Sequence, residues 1–188
     1  MAQVIAVSGF MGAGKSVVGA SVASALGWEF VDLDEVISTT TGLSPEEIFA
    51  NRGEIGFRAV ELECLREVVR RETTGPGLVL ALGGGAVTSP ETAAVLAESA
   101  LVVFLLTSPE VGWGRVEGSG RPLARSWEDF AALAAAREPI YLKTADEIIE
   151  THDLSAAEVA VRVVDIARRR FDLDGLGGEP VGDKESGR

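Results

Sequence analysis

Short, near-continuously apolar runs alternate with helix-like segments along the chain, and this alternation predicts an α/β fold. Apolar runs of this length are typical of strands that are buried on both faces in a parallel sheet. The helical segments between them predict βαβ units, in which neighbouring strands are parallel. Five strands are predicted, at residues 3–8, 28–33, 78–82, 100–106 and 147–151.

Capping signals mark where the predicted helices begin. Ser44, Pro45 and Glu47 combine a serine N-cap, a proline at the first helical position and the glutamate of a capping box. Ser155 and Glu158 form a second capping box. The predicted helices cover residues 14–26, 44–50, 54–73, 89–98, 127–136 and 155–170, and a further helix opens at residue 108.

The length of 188 residues suits a single domain. We expect residues 1–170 to form this domain, because the last predicted helix ends there. From residue 171 onward, glycine, aspartate, glutamate and lysine dominate the sequence. This composition predicts a disordered C-terminal tail over residues 171–188.

The stretch 9–16, with the sequence GFMGAGKS, joins the first predicted strand to the first helix. It matches the phosphate-binding pattern of glycine, four residues, and then Gly-Lys-Ser/Thr. In such a loop the backbone N–H groups surround a polyphosphate, while Lys15 reaches the outer phosphates and Ser16 ligates Mg²⁺. The strand–loop–helix context disfavours the alternative of a plain glycine-rich turn. The predicted ATP contacts here are Gly12, Ala13, Gly14, Lys15, Ser16 and Val17.

Two aspartates, Asp32 and Asp34, stand at the end of the second predicted strand. Side chains two residues apart on a strand share a face, and open α/β sheets bind ligands at the carboxyl ends of their strands. One carboxylate can hold water ligands of Mg²⁺, and the other can accept a proton from a substrate hydroxyl. The alternative is that the pair caps the following helix.

Phe57, Arg58 and Glu61 lie together on the predicted helix at residues 54–73. Arg58 and Glu61 are three residues apart and can pair, either as a solvated ion pair of little consequence or as a wall of an anion site. A second candidate for ligand contact is the run of Gly83, Gly84 and Gly85 after the third strand. Glycines at this position suggest a close backbone approach to a ligand, with a loose linker as the alternative.

The glycine- and serine-containing stretch 115–123 carries Arg115 and Arg121. A mobile segment with arginines is typical of a lid that closes over bound ATP and stabilises the charge of a transferring phosphoryl group. An ordinary surface turn is the alternative interpretation.

The formal net charge of −12 argues against a nucleic-acid partner, because the phosphate backbone would be repelled. Any site for an anion must therefore concentrate a few cations in a cleft. No apolar run reaches the length of a membrane span, so no membrane partner is expected, and the start of the chain lacks the features of a signal peptide. Cys64 is the only cysteine, which excludes an internal disulfide and suits a buried core position and a cytoplasmic location.

Motifs that are absent narrow the class of phosphate-loop protein. A GTPase requires an Asn-Lys-x-Asp motif, and the only asparagine, Asn51, does not belong to one. Motor-type ATPases end a buried strand in aspartate, whereas the third predicted strand ends in glycines and the fourth in Thr107. The acidic end of the second strand and the arginine-bearing stretch 115–123 instead favour a small-molecule or nucleotide kinase.

Several short motifs beyond the phosphate loop occur in an informative order. They are Asp32-Leu33-Asp34, Phe49 with Gly53-Glu54-x-x-Phe57-Arg58-x-x-Glu61, Gly83-Gly84-Gly85-Ala86, Gly120-Arg121-Pro122-Leu123 and Arg137-x-Pro139-x-Tyr141. Each is weak alone, but together, in this order and spacing, they make the chain resemble the shikimate kinase family from about residue 4 to residue 170.

The resemblance implies the three-layer α/β/α phosphate-loop fold of nucleoside monophosphate kinases, with a five-stranded parallel sheet of order 2-3-1-4-5 and a mobile lid at about residues 112–125. It implies transfer of the γ-phosphoryl group of ATP to the 3-hydroxyl of shikimate, with one Mg²⁺ bound with ATP. We expect the protein to act as a monomer on these two small molecules.

The resemblance also implies roles for individual residues. Asp34 contacts the substrate hydroxyls and is the candidate base, Lys15 and Arg121 stabilise the transferring phosphoryl group, and Arg115 lies on the adenine side. Ser16 and Asp32 serve Mg²⁺. The implied shikimate-binding residues are Asp34, Phe57, Arg58, Gly83, Gly84, Gly85 and Arg137.

Two alternatives are compatible with parts of this pattern. A gluconate-type sugar-acid kinase or a nucleotide kinase would keep the phosphate loop and the lid, but gives no reason for Arg58, the three glycines and Arg137 together. A phosphate-loop binding module without catalysis would not need Asp34 or Arg121, and both are present.

Overall fold

A computed structural model describes residues 3–71, 73, 75–117 and 126–173. Within them, five parallel strands form one sheet in the order β2-β3-β1-β4-β5, which confirms the predicted topology. The strands are β1 (Gln3–Ser8), β2 (Glu29–Asp32), β3 (Gly77–Ala81), β4 (Leu101–Leu106) and β5 (Glu147–Glu150). The switch in strand order beside β1 places a ligand crevice at the carboxyl ends of β1 and its neighbours.

Helices cover both faces of this sheet and give the expected three layers. They are α1 (Lys15–Leu26), α2 (Leu33–Thr41), α3 (Pro45–Arg70), α4 (Pro90–Ser99), α5 (Pro109–Val116), α6 (Trp127–Thr144) and α7 (Ala156–Phe171). Ile5 and Val7 of β1 face a core shared with α1 and α7, whereas Val4 and Ala6 face a core shared with α3, α4 and α6. This alternation follows from the two-residue repeat of a strand.

The capping signals in the sequence act as predicted. Ser44 and Glu47 exchange hydrogen bonds with each other's backbone N–H groups at the start of α3, and Ser155 and Glu158 do the same at α7. Gly53 interrupts α3 with φ 66° and ψ −177°, so the predicted division between two helical segments is in the right place. A residue with a side chain would be strained at this positive φ.

The end of β2 differs from the prediction. The strand stops at Asp32, and the helix α2, which was not predicted, begins at the next residue. The cause is local, because the Asp32 side chain accepts a hydrogen bond from the Asp34 N–H at 3.0 Å and so caps α2. Asp34 therefore reaches the site from the first turn of a helix, and the assumption that both aspartates lie on one strand face was wrong.

Helix α6 also differs, because it continues from the predicted end at residue 136 to Thr144 and includes Pro139. A proline inside a helix removes one hydrogen bond and ordinarily kinks or ends the helix. The turn after Pro139 buries Tyr141, whose ring stacks on Phe104 of β4 at 5.0 Å. This packing compensates for the lost hydrogen bond.

Two smaller predictions concern the core and the C-terminus. Cys64 is buried, as expected for a core position. Phe171 still belongs to α7 and its ring lies 5.6 Å from that of Trp28, so the helix extends one residue into the predicted tail. The tail from residue 174 lies outside the described residues.

Within the described ranges, no helix has the length and apolar character that crossing a membrane requires.

Candidate active site

The phosphate loop connects β1 to α1 and brings several predicted ATP contacts to the carboxyl edge of the sheet. Gly12 and Gly14 adopt positive φ values of 80° and 87°, which only glycine adopts without strain. Lys15 is the first residue of α1, and its Nζ donates a hydrogen bond to the Phe10 carbonyl at 3.2 Å. Ala13 is buried and Val17 is exposed beside them. The loop thus combines a glycine-rich backbone, a lysine and a helix N-terminus, which is the arrangement that binds phosphate.

Helix α5 supports this loop through a direct contact between backbones. A Cβ on Gly12 would lie 2.3 Å from the Gly112 carbonyl oxygen, and a Cβ on Gly112 would lie 3.0 Å from the Met11 carbonyl oxygen. Arg115 adds a hydrogen bond from its guanidinium to the Gly12 carbonyl at 2.9 Å. The position of α5 therefore determines the position of the phosphate loop.

We expect Gly112→Ala to raise the KM for ATP about tenfold, because overpacking of a tight contact costs roughly 1–3 kcal/mol. Gly114→Ala is the matched control, since it lies on the same helix and nothing stands within 4 Å of its added Cβ. The control should leave the KM for ATP unchanged and stabilise the helix by up to about 1 kcal/mol. Steady-state kinetics and thermal unfolding of both variants test this, and equal KM values would contradict it.

Asp32 caps α2, which was the alternative interpretation, and its carboxylate also contacts Ser16. One carboxylate oxygen caps α2, while the other accepts a hydrogen bond from the Ser16 hydroxyl at 2.5 Å. A hydroxyl and a carboxylate oxygen in contact are the hard oxygen ligands that suit Mg²⁺, which commonly keeps water and substrate phosphate as its other ligands. The pair therefore fits a magnesium ion beside the phosphate loop.

A second concave region adjoins the phosphate loop and contains every substrate residue implied by the resemblance. It is open to solvent and combines apolar with charged side chains, as small-molecule sites commonly do. The lining residues are Met11, Asp34, Pro45, Glu46, Phe49, Phe57, Arg58, Glu61, Gly83, Gly84, Gly85 and Arg137. The structure thus brings together residues from α2, α3, α6 and the segment after β3.

The charges in this pocket are arranged around Arg58. Its guanidinium lies 2.6 Å from a carboxylate oxygen of Glu61, which is fully buried, and 3.6 Å from a carboxylate oxygen of Glu54. Burial raises the pKa of Glu61, and the Asp34 charge raises it further, although the Arg58 and Arg137 cations lower it. The ion pair is buried, so the solvated alternative considered from the sequence is wrong.

The three glycines leave space for charged side chains. None of them has a positive φ, so conformational freedom is not the reason for glycine here. A Cβ on Gly83 would lie 2.9 Å from a carboxylate oxygen of Asp34, and one on Gly85 would lie 2.5 Å from the Arg58 guanidinium. The segment also makes fixed hydrogen bonds, such as the one from the Ala86 N–H to the Gly83 carbonyl, so it is not a loose linker.

Some residues of the site were missed from the sequence, and one predicted residue cannot be placed. Glu61 was considered only as a partner of Arg58, although its second oxygen is buried without a hydrogen bond among the described residues. Tyr141 appeared only as part of a motif, and no local signal marks Gly112. Arg121 lies outside the described residues, together with most of the predicted lid. Its role and the adenine-side role of Arg115 stay predictions.

Comparison with known proteins agrees with this geometry. A shikimate kinase family model matches residues 11–168 of the chain. The chain belongs to the shikimate kinase family. The shikimate kinase of Halorhodospira halophila (strain DSM 244 / SL1) is 42% identical over 161 residues, which are 84% of this chain and 89% of that protein. Shikimate kinases catalyse the ATP-dependent phosphorylation of shikimate.

Solved structures of shikimate kinases have the same architecture. Shikimate kinase from Acinetobacter baumannii in complex with shikimate superposes with a TM-score of 0.83 at 34% identity, over 90% of this chain and 95% of that one. A gluconokinase from Sinorhizobium meliloti 1021 superposes with a TM-score of 0.54 at 18% identity, over 94% of this chain and 98% of that one. At that identity the second likeness shows the fold alone, so it lends no support to a sugar-acid kinase.

Proposed function

We propose that this chain transfers the γ-phosphoryl group of ATP to the 3-hydroxyl of shikimate, giving shikimate 3-phosphate and ADP. The observation that carries the proposal is that Gly84 lies near Lys15 of the phosphate loop, while the next residue, Gly85, lies near the two arginines of the pocket. A Cβ on Gly84 would lie 4.0 Å from Nζ of Lys15, and a Cβ on Gly85 would lie 2.5 Å from Arg58 and 3.3 Å from Arg137. A phosphate group and a second anion can therefore bind side by side.

On the acceptor side, Arg58 and Arg137 bind the carboxylate of shikimate, because planar guanidinium groups suit charge-assisted pairs with a carboxylate. Asp34, whose carboxylate lies beside Gly83, accepts a hydrogen bond from the ring hydroxyls and takes the proton of the attacking one. Phe57 is buried at the pocket wall and packs against the ring. These groups hold the acceptor hydroxyl towards the phosphate loop, and positioning is a main component of phosphoryl transfer.

On the donor side, the N–H groups of the phosphate loop and Lys15 bind the β- and γ-phosphates of ATP. Ser16 and Asp32 hold Mg²⁺, which neutralises phosphate charge when it is bound. Arg121 and Arg115, whose roles rest on the resemblance, contact the transferring phosphoryl group and the adenine side. We further propose a cytoplasmic monomer, because one chain supplies all the pocket residues and the lone Cys64 is buried.

The direct test is an assay of shikimate-dependent ADP release with ATP and Mg²⁺. Gluconate and nucleoside monophosphates serve as competing acceptors. We expect ADP release with shikimate and none above background with the other acceptors. Absence of shikimate-dependent ADP would overturn the proposal, and turnover of gluconate instead would support the sugar-acid kinase.

Arg137→Ala should raise the KM for shikimate about 30-fold, because a hydrogen bond to a charged group contributes roughly 1.5–3 kcal/mol. The KM for ATP should stay within about twofold, since the Arg137 guanidinium lies beside Gly85 in the pocket assigned to the acceptor. Arg162→Ala removes an exposed arginine from α7 and is the control for net charge. Equal changes in the KM for shikimate and the KM for ATP would contradict the assignment of Arg137 to the shikimate site.

A further inference from the structure

Tyr141 of α6 has a buried side chain that contacts the glycine segment, residues 83–85. Its side chain is 2% exposed and its ring stacks on Phe104 with an interplanar angle of 8°. Its hydroxyl donates a hydrogen bond to the Gly84 carbonyl. Burial raises the pKa of Tyr141 to about 12, although the Arg137 cation lowers it, so the hydroxyl is protonated near neutral pH.

The hydrogen bonds of the glycine segment show what Tyr141 contributes. The Gly83 carbonyl accepts from the Ala86 N–H at 3.1 Å, and the Gly85 carbonyl accepts from the Thr88 N–H and hydroxyl at 3.0 and 2.6 Å. Within the part of the chain that the structure describes, only the Gly84 carbonyl of the three accepts from a distant residue, namely Tyr141. Among the hydrogen bonds of the described residues, none is donated by the N–H of Gly85.

The planar peptide bond links the direction of the Gly84 carbonyl to the direction of the Gly85 N–H. In a trans peptide the carbonyl of one residue and the N–H of the next point in opposite directions, and no cis peptide occurs in the described residues. A Gly84 carbonyl held towards the buried Tyr141 therefore turns the Gly85 N–H away from the interior. Gly85 lies beside the Arg58 and Arg137 guanidinium groups at the pocket wall.

We propose that Tyr141 is a positioning residue, whose hydroxyl orients the Gly84–Gly85 peptide so that the Gly85 N–H donates to the acceptor substrate beside Arg58 and Arg137. The inference rests on the proposed function, since it assumes that the pocket binds shikimate. It assigns Tyr141 no contact with the substrate. The phenol ring fills space against Phe104, whereas the hydroxyl sets the direction of a backbone donor.

The test separates the hydroxyl of Tyr141 from its ring. Tyr141→Phe keeps the stacked ring and removes the hydrogen bond, so we expect the KM for shikimate to rise about tenfold and the KM for ATP to stay within about twofold. Phe104→Leu is the matched control, because it weakens the stack and leaves the hydroxyl in place. It should lower the melting temperature without changing the KM for shikimate.

An amide spectrum with ¹⁵N-labelled protein gives a readout that packing alone would not move. In the wild-type protein, saturating shikimate should shift the Gly85 amide resonance strongly, and in Tyr141→Phe at saturating shikimate the shift should be much smaller. An unchanged KM for shikimate in Tyr141→Phe, equal increases in both KM values, or an unchanged Gly85 shift would each overturn the role of Tyr141. Failure of the proposed function itself would show differently, as absence of shikimate-dependent ADP release by the wild-type protein.

Discussion

Asp34→Asn should lower kcat for shikimate phosphorylation about 10³-fold, because a positioned general base contributes roughly 10²–10⁴-fold. Asparagine keeps the shape of the side chain and suits the first turn of α2, so the fold should persist. The amide cannot accept the proton of the attacking hydroxyl. The measurement is steady-state kinetics with saturating ATP, in which kcat falls and the KM for shikimate changes much less.

The result of this substitution also decides what Asp34 does. If the carboxylate only positioned the hydroxyl, the KM for shikimate would rise while kcat fell only slightly, and the assignment of a base would be wrong. Glu46→Gln is the control, because Glu46 is an exposed carboxylate at the same pocket. It removes one negative charge from the pocket without removing the candidate base, and should leave kcat within about twofold.

The sheet could be predicted from sequence because each of its signals is local. A buried parallel strand is apolar along its whole length, so β1, β3 and β4 are visible as runs. The strand order is not local, and it came from the resemblance rather than from the pattern. The phosphate loop could also be predicted from the sequence, because its phosphate-binding residues are neighbours in the chain, namely Gly12, Gly14, Lys15 and Ser16.

The missed features depend on contacts between distant parts of the chain. Helix α6 passes through Pro139 because Tyr141 packs on Phe104 of β4, and no local rule contains that contact. The start of α2 was missed for the opposite reason, since the aspartate that ends β2 also caps the next helix. A residue with two structural roles gives two conflicting signals, and the strand signal was followed to Leu33.

The three glycines show the same limit within the candidate site. Their place after β3 predicted a close backbone approach to a ligand, which stays a prediction, but it gave no sign that side chains of Asp34, Glu61 and Arg58 from other elements lie against Gly83 and Gly85. Glu61 was undervalued because a pair three residues apart on a helix is ordinarily solvated. Only the packing of α3 against the glycine segment shows that this pair is buried.

Arg58→Ala should change both the KM for shikimate and the free energy of unfolding, because Arg58 is proposed to bind the substrate and also pairs with the buried Glu61. Loss of the guanidinium removes a charge-assisted contact with the shikimate carboxylate, so the KM for shikimate should rise about 10²-fold. It also leaves Glu61 buried beside Asp34 without its cation. Breaking a buried ion pair costs roughly 3–5 kcal/mol, and we expect a loss near the lower end because Glu61 can take up a proton.

The double variant Arg58→Ala/Glu61→Gln separates these two effects. Glutamine has the shape of Glu61 without its charge, so the double variant should recover most of the lost unfolding free energy while the KM for shikimate stays high. The measurement is urea unfolding alongside steady-state kinetics. Recovery of both quantities would show that Arg58 acts only through Glu61, and would contradict a direct contact with the substrate.

The pH dependence of the single variant provides an independent check. The pKa of Glu61 is already raised above its ordinary value of 4.5 by burial, and removal of the Arg58 cation raises it further. A carboxyl with a raised pKa stabilises the fold below its unfolded pKa, and this stabilisation is lost as the pH rises through the folded pKa. Arg58→Ala should therefore lose more unfolding free energy at pH 8 than at pH 5, whereas the double variant, which lacks the Glu61 carboxyl, should not show this larger loss at pH 8. A similar loss at both pH values in the single variant would mean that Glu61 does not carry the charge that Arg58 compensates.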